Sequence, residues 1–128
     1  MLTNNDPVSF IATRDFPIAR DFYENTLGLT LVAEEYFALV FNLKGHVLRV
    51  TQVDEFVPAQ HTVLGWNVSD IVETASSLSS NGVVFERFDG MEQDEFGVWI
   101  SPSGAKVAWF KDPDGNNLSL TQLADSGE

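Results

Sequence analysis

Arg49 is the first residue of this chain whose type and position could do chemistry. It lies inside the strand-like run His46–Val53, where alternation places Val47, Arg49 and Thr51 on one face. A cation among apolar strand residues needs a partner or an opening to solvent. Its planar guanidinium could bind a carboxylate or phosphate of a ligand. The alternative is an internal ion pair with Glu34, Glu35 or an acid of the Asp89–Glu95 loop, and the sequence leaves both open.

Aromatic side chains form a second group of candidates. Trp99, Trp109, Phe37 and Phe41 could line a site for a flat ligand, or they could belong to the core or a dimer interface. The acidic run Glu92–Glu95, which precedes Gly97, could act as a lid, and the alternative is a solvated hairpin.

The sequence offers little for covalent or acid–base catalysis. There is no cysteine, and His46 and His61 are its two histidines. No Ser-His-Asp arrangement, glycine-rich phosphate loop or pair of cleft-facing carboxylates is apparent. Glu86, Asp89, Glu92 and Asp94 remain loose candidates for general acid–base roles.

Composition excludes several classes of partner. The chain has 128 residues, 44% of them hydrophobic, and a formal net charge of −12. This charge argues against nucleic acid, which is bound by clustered Lys and Arg. No apolar run is long enough to cross a membrane, and residues 1–7 do not resemble a signal peptide. We expect a single cytoplasmic domain with no cofactor.

A βαβββ pattern occurs twice along the chain. In each half a strand is followed by an aspartate that can cap a helix, and a glycine ends that helix. Asp15 precedes Asp70 by 55 positions, and Gly28 precedes Gly82 by 54. The predicted strands are 8–13, 29–33, 36–43 and 46–53 in the first half, and 63–68, 83–88, 98–101, 105–111 and 117–122 in the second. We therefore predict an α+β fold with modules at 7–53 and 61–122, a linker at 54–60 and a tail at 123–128.

Residues 112–116, Asp-Pro-Asp-Gly-Asn, predict a tight turn between two strands. The chain as a whole resembles the vicinal oxygen chelate superfamily. The features that carry this resemblance are the two βαβββ modules, this turn, and the motifs Phe22-Tyr23 and Leu27-Gly28-Leu29. That superfamily includes glyoxalase I, bleomycin resistance proteins and extradiol dioxygenases. The resemblance implies curled mixed sheets around a cleft, helices outside, and a homodimer.

The resemblance also implies where a metal would be bound. The four ligand positions of metal-using relatives correspond here to Val8, Arg49, Val63 and Ser119. None is a usual ligand of a divalent ion, so we expect no metal.

Strand alternation then predicts the cleft-facing residues. Leu64 and Trp66 should face the helices instead, which makes Trp66 a core residue. The candidate ligand-binding residues are Phe10, Phe41, Arg49, Thr51, Asn67, Trp99, Trp109, Ser119 and Thr121.

Three functions remain open at this point. The favoured one is a metal-free protein that binds and sequesters a drug or metabolite. The second is an enzyme of this fold, such as a glyoxalase-like lyase or isomerase, with metal-free or displaced-ligand chemistry. The third is a non-catalytic dimeric regulatory module.

Overall fold

The computed structural model describes residues 1–124 and divides into two compact units, Met1–Val57 and Pro58–Glu128. The boundary falls inside the segment 54–60 that the sequence predicts as a linker. Of the predicted tail, residues 125–128 lie outside the described part of the chain. No helix of the described residues has the length and apolar character needed to cross a membrane.

The first unit is a four-stranded mixed sheet with one helix. The strand order is β1-β4-β3-β2, and β1 runs parallel to β4 while the other pairs are antiparallel. The elements are β1 (Val8–Thr13), α1 (Phe16–Arg20), a π-helical segment (Asp21–Thr26), β2 (Thr30–Glu34), β3 (Ala38–Leu43) and β4 (His46–Gln52).

The helical region of this unit begins and ends where the sequence predicts. The Asp15 side chain accepts a hydrogen bond from the amide of Ile18 at 3.1 Å, and Pro17 lies in the first turn, where a missing N–H costs little. Gly28 follows the π-helical segment with φ of 75°, a value that glycine adopts without strain. Tyr23 is fully buried, and its ring lies 5.9 Å from that of Phe41 on the sheet.

The second unit repeats this topology. Its strand order is β5-β8-β7-β6, again with the first strand parallel to the last. The elements are β5 (Leu64–Asn67), α2 (Ile71–Ser80), β6 (Trp99–Ile100), β7 (Lys106–Lys111) and β8 (Asn117–Gln122). The matching strand order confirms the duplicated βαβββ pattern.

Helix α2 covers one face of the second sheet. Asp70 caps it by accepting a hydrogen bond from the amide of Glu73 at 3.1 Å. The buried side chains on the covered face include Ala108, Phe110, Leu118 and Leu120. Trp66 stacks on Phe110 with ring centroids 6.5 Å apart, so it lies on the helix-covered face, as the alternation predicts, although it is only partly buried.

One predicted strand is absent. Residues 83–88 form no strand, although the amide of Glu86 donates to the carbonyl of Trp109 at 2.8 Å. The Gln93 side chain accepts from the amide of Phe88 at 2.8 Å and donates to the carbonyl of Glu86 at 2.9 Å. A side chain thus satisfies backbone groups that a neighbouring strand would otherwise pair, which the apolar pattern could not reveal.

The turn between β7 and β8 confirms the predicted hairpin. Asp112 is 5% exposed, and its carboxylate accepts from the amides of Asp114 and Asn116 at 2.9 and 2.8 Å and from the Asn116 side-chain amide at 2.8 Å. Gly115 adopts φ of 91°. The carboxylate therefore holds the loop from inside and fixes the register of β8 on β7.

Candidate functional site

Each sheet has a face turned away from its helix, which we call the distal face. In the first sheet, cross-strand pairing places Phe10 opposite Arg49 on one side and Val40 opposite Arg49 on the other. Thr51 shares this face because it is two residues along β4. The structure thus brings Phe10, Arg49 and Thr51 together, as alternation predicts.

Arg49 has an ionic partner on this face. Its Nη2 lies 2.7 Å from Oε1 of Glu35, which is one of the internal partners that the sequence left open. Both side chains remain partly exposed, at 32% for Arg49 and 51% for Glu35. The contact occupies one of the five N–H donors of the guanidinium.

The neighbouring acid, Glu34, points to the other side of the sheet. Its Oε1 lies 3.1 Å from Nη1 of Arg20, which belongs to the helix. Consecutive strand residues alternate between faces, so the two glutamates serve different arginines. This assignment could not be made from the sequence, because it depends on where β2 ends.

Phe41 does not share the face of Arg49. It pairs with Leu48 and is fully buried against Tyr23, on the helix-covered side of the sheet. Its assignment as a ligand-lining residue is therefore corrected to a core residue. Phe37 precedes β3 rather than belonging to it; it is 64% exposed and packs edge-on against Tyr36 at 4.5 Å.

The distal face of the second sheet gathers the remaining candidates. Pairing of Trp109 with Ser119, and of Ser119 with Gly65, places these three residues in one row. The next row along this face contains Asn67, Thr121, Val107 and Trp99. The structure therefore brings Asn67, Trp99, Trp109, Ser119 and Thr121 to one surface.

Three aromatic rings cluster on this surface. The Trp99 and Trp109 centroids are 6.0 Å apart at an interplanar angle of 36°. Phe88, from the segment that forms no strand, meets Trp109 edge to face at 5.5 Å and 90°. The sequence does not reveal the role of Phe88, because residues 83–88 form no strand and the contact of Phe88 with Trp109 depends on the path of this segment. We call Phe88, Trp99 and Trp109 the aromatic cluster.

A pocket of about 500 Å³ opens beside Trp109. Within it, Nζ of Lys111 lies 3.4 Å from Oε1 of Glu86, so the pocket contains both charges. Its volume falls in the range of small-molecule sites. The lining residues are Gln60, His61, Thr62, Glu86, Phe88, Trp109, Lys111 and Asn117.

Glycine at position 65 makes room for Ser119. A Cβ added there would lie 2.9 Å from the Ser119 hydroxyl oxygen and 3.3 Å from its carbonyl. Ser119 is 8% exposed. The hydroxyl is therefore accommodated only because its cross-strand neighbour has no side chain.

The acidic loop that could act as a lid is held by its own side chains. Oδ1 of Asp94 accepts from the amides of Phe96 and Val98 at 2.8 and 2.9 Å. The Arg87 guanidinium donates to the carbonyl of Asp94 at 2.6 Å. These contacts hold the loop in a hairpin-like conformation. A second cavity, of about 820 Å³, lies between this loop, Val72 of α2 and the edge of the sheet.

The side chains at the four positions implied for a metal do not fit a divalent ion. Val8 and Val63 offer no donor atom, and the Arg49 guanidinium is cationic and paired with Glu35. Ser119 contributes only a neutral hydroxyl. Among residues 1–124, no group of three or more His, Asp or Glu side chains is arranged to hold a metal.

A serine and a histidine meet elsewhere in the first unit. Ser9 Oγ lies 2.7 Å from Nε2 of His46. A catalytic triad also requires a carboxylate on the other ring nitrogen, and no such contact to His46 occurs in the described chain. Ser9 alternates with Phe10, so this pair lies on the face opposite Arg49.

Comparison with known proteins identifies the family. The sequence model of the Glyoxalase/Bleomycin resistance protein/Dioxygenase superfamily matches residues 6–120, and the chain belongs to this superfamily. No functionally curated protein matches the chain in sequence.

Solved structures share the fold at low sequence identity. A superfamily member from Sphaerobacter thermophilus is 24% identical, with a TM-score of 0.74 over 95% of this chain and 99% of that one. A glyoxalase family protein from Bacillus anthracis is 16% identical, with a TM-score of 0.73 over 94% and 95%. A bleomycin resistance determinant encoded on the transposon Tn5 is 20% identical, with a TM-score of 0.71 over 94% and 98%.

Proposed function

We propose that this protein binds and sequesters a small flat molecule, without a metal, on the distal face of its second sheet. The single observation behind this proposal is the aromatic cluster of Phe88, Trp99 and Trp109 next to a pocket of about 500 Å³. Aromatic rings offer a large apolar contact area and favour planar ligands by stacking.

Polar groups beside the cluster would orient the ligand. Ser119 is the cross-strand partner of Trp109, and Asn67 is the partner of Thr121, so hydroxyl and amide groups border the rings. These groups donate and accept neutral hydrogen bonds. A ligand with an aromatic body and a carbonyl or hydroxyl edge fits this combination.

Binding without turnover is supported by the chemistry of the face. Within residues 1–124 no hydrogen bond joins Ser119 to a histidine, and the positions where metal-using relatives hold their ligands carry unsuitable side chains. The similar fold of a bleomycin resistance determinant makes a drug one candidate for the bound molecule.

The test combines tryptophan fluorescence with calorimetry. A panel of planar aromatic compounds, including metal-free bleomycin, would be titrated into the protein. We expect quenching and saturable heat for at least one compound. Trp66 stacks on Phe110, on the opposite face of the sheet from Trp99 and Trp109. A Trp99→Phe/Trp109→Phe variant therefore retains one tryptophan whose fluorescence should not change when the ligand binds.

Two results would overturn the proposal. The first is an unchanged response in the double variant, which would place binding away from the aromatic cluster. The second is conversion of a bound compound to product, or of methylglyoxal–thiol adducts by a glyoxalase assay, which would favour a lyase of this fold.

A further inference from the structure

We propose that Arg49 forms a second ligand site, in the first unit, that accepts the carboxylate of a small acid with an apolar body. In the free protein Glu35 occupies this site as an internal placeholder. The residues that build it all belong to the first unit, whereas those of the aromatic cluster belong to the second.

The backbone holds Arg49 in a fixed position. Its strand, β4, is paired on both sides, with Phe10 of β1 opposite Arg49 in a parallel register and Val40 of β3 opposite in an antiparallel register. The only polar contact of its guanidinium within the described chain is to Glu35, through Nη2. The other N–H donors of the fork are thus available for a bidentate partner.

Glu35 is easily displaced. It follows the last residue of β2, and its backbone amide donates to the carbonyl of Ala38 whether or not its side chain is engaged. Its side chain is half exposed, so its carboxylate can return to water at little cost. Exposed single-contact ion pairs stabilise proteins by only about 0–1 kcal/mol. An incoming carboxylate that uses two donors would therefore compete well.

The surroundings select an acid with an apolar body. Phe10, directly opposite Arg49, is 64% exposed, and Val8, two residues along the same face, is 42% exposed. An aromatic or aliphatic acid covers these side chains while its carboxylate reaches the guanidinium. An inorganic anion would gain the charge contact alone.

The probe is 2-naphthoate, with the neutral 2-naphthamide as its isostere. Calorimetry would compare the wild-type protein with Glu35→Gln, which removes the competing charge but keeps the shape, and with Arg49→Gln. We expect Glu35→Gln to bind 2-naphthoate about five-fold more tightly, because a competing ion pair of about 1 kcal/mol is lost. Arg49→Gln should bind it at least ten-fold more weakly, and the amide should not distinguish the three proteins.

The proposal is overturned if Glu35→Gln binds 2-naphthoate no more tightly than the wild type, or if Arg49→Gln binds it equally well. If either variant fails to fold, nitrogen-detected NMR of the wild-type protein decides. The chain has four arginines, and Arg49→Lys identifies the Arg49 Nε–H signal. The chemical shift of that signal should change when 2-naphthoate is added and should not change when 2-naphthamide is added. A shift confined to the indole N–H signals, all of which belong to the second unit, would refute the Arg49 site while leaving the aromatic-cluster proposal intact.

Discussion

Trp109 and Ser119 are direct cross-strand partners, so an indole and a hydroxyl leave the second sheet on the same face. In metal-using relatives the position of Ser119 is expected to hold a carboxylate. Here the neighbouring positions provide aromatic rings, and Gly65 on the other side leaves space for the hydroxyl. The face therefore suits stacking and neutral hydrogen bonding rather than coordination of an ion.

Replacing Trp109 with leucine should weaken binding of a planar aromatic ligand. The variant removes the ring that contacts both Trp99 and Phe88, and stacked aromatic pairs contribute about 0.5–1.5 kcal/mol beyond the area they bury. We expect the Kd from calorimetry to rise about ten-fold. Tyr36→Leu is the control, because Tyr36 is an exposed aromatic of the first unit. An equal loss in both variants would argue against a specific site.

The purified protein should contain no stoichiometric divalent metal. The reason is the donor set at Val8, Arg49, Val63 and Ser119. Elemental analysis should find less than about 0.1 zinc, nickel, manganese or iron per chain, and a chelator should leave the melting temperature unchanged, since removing a native-state ligand would lower it. One metal per chain, with a melting temperature that falls on chelation, would contradict this expectation.

Asp112→Ala should destabilise the second unit. Asp112 is buried, and its carboxylate accepts three hydrogen bonds within the turn to β8, two of them from Asn116. Removal would leave buried amides without these acceptors, at a cost of about 2–3 kcal/mol. Chemical denaturation measures the loss. Asp112→Asn keeps one acceptor oxygen, so its free energy of unfolding should fall by less. Equal decreases in the two variants would show that the hydrogen bonds accepted by the side chain do not account for the effect.

Gly97→Ala should cost more stability than Gly90→Ala. Both glycines have positive φ, 83° and 79°, so alanine is strained at each. Only at Gly97 would the new Cβ also clash, at 2.9 Å from Cβ of Phe85, whereas nothing lies within 4 Å at Gly90. We expect about 1 kcal/mol for Gly90→Ala and at least 2 kcal/mol for Gly97→Ala from thermal unfolding. The reverse order would contradict the packing of this loop.

The protein should assemble as a homodimer. Val32, Phe37 and Ile100 are large apolar side chains that are each more than 60% exposed, and association of two chains would remove such side chains from water. Sedimentation at micromolar concentration should report a mass twice the 14.2 kDa of one chain. A Phe37→Ser/Ile100→Ser variant should shift this mass downward. A monomeric wild-type protein would refute the prediction.

The sequence alone determined the fold and most of the face assignments. Capping aspartates, helix-ending glycines and the turn at 112–116 are local signals, and the period of two along β4 and β8 specifies which side chains share a face. This period is sufficient to give the faces of six residues: Phe10, Arg49, Thr51, Asn67, Ser119 and Thr121. Trp66 was assigned to the core for the same reason.

Tertiary structure alone decided which partner each side chain or segment takes where no local pattern specifies one. Phe41 became a core residue because its register opposite Leu48 turns it toward Tyr23. The segment 83–88 lost its predicted strand because the Gln93 side chain satisfies its backbone groups. Arg49 pairs with Glu35 and not with Glu34. This pairing depends on where β2 ends and on which face of the sheet each carboxylate lies. Such choices arise from pairing between strands, for which a sequence pattern supplies the period but not the partner.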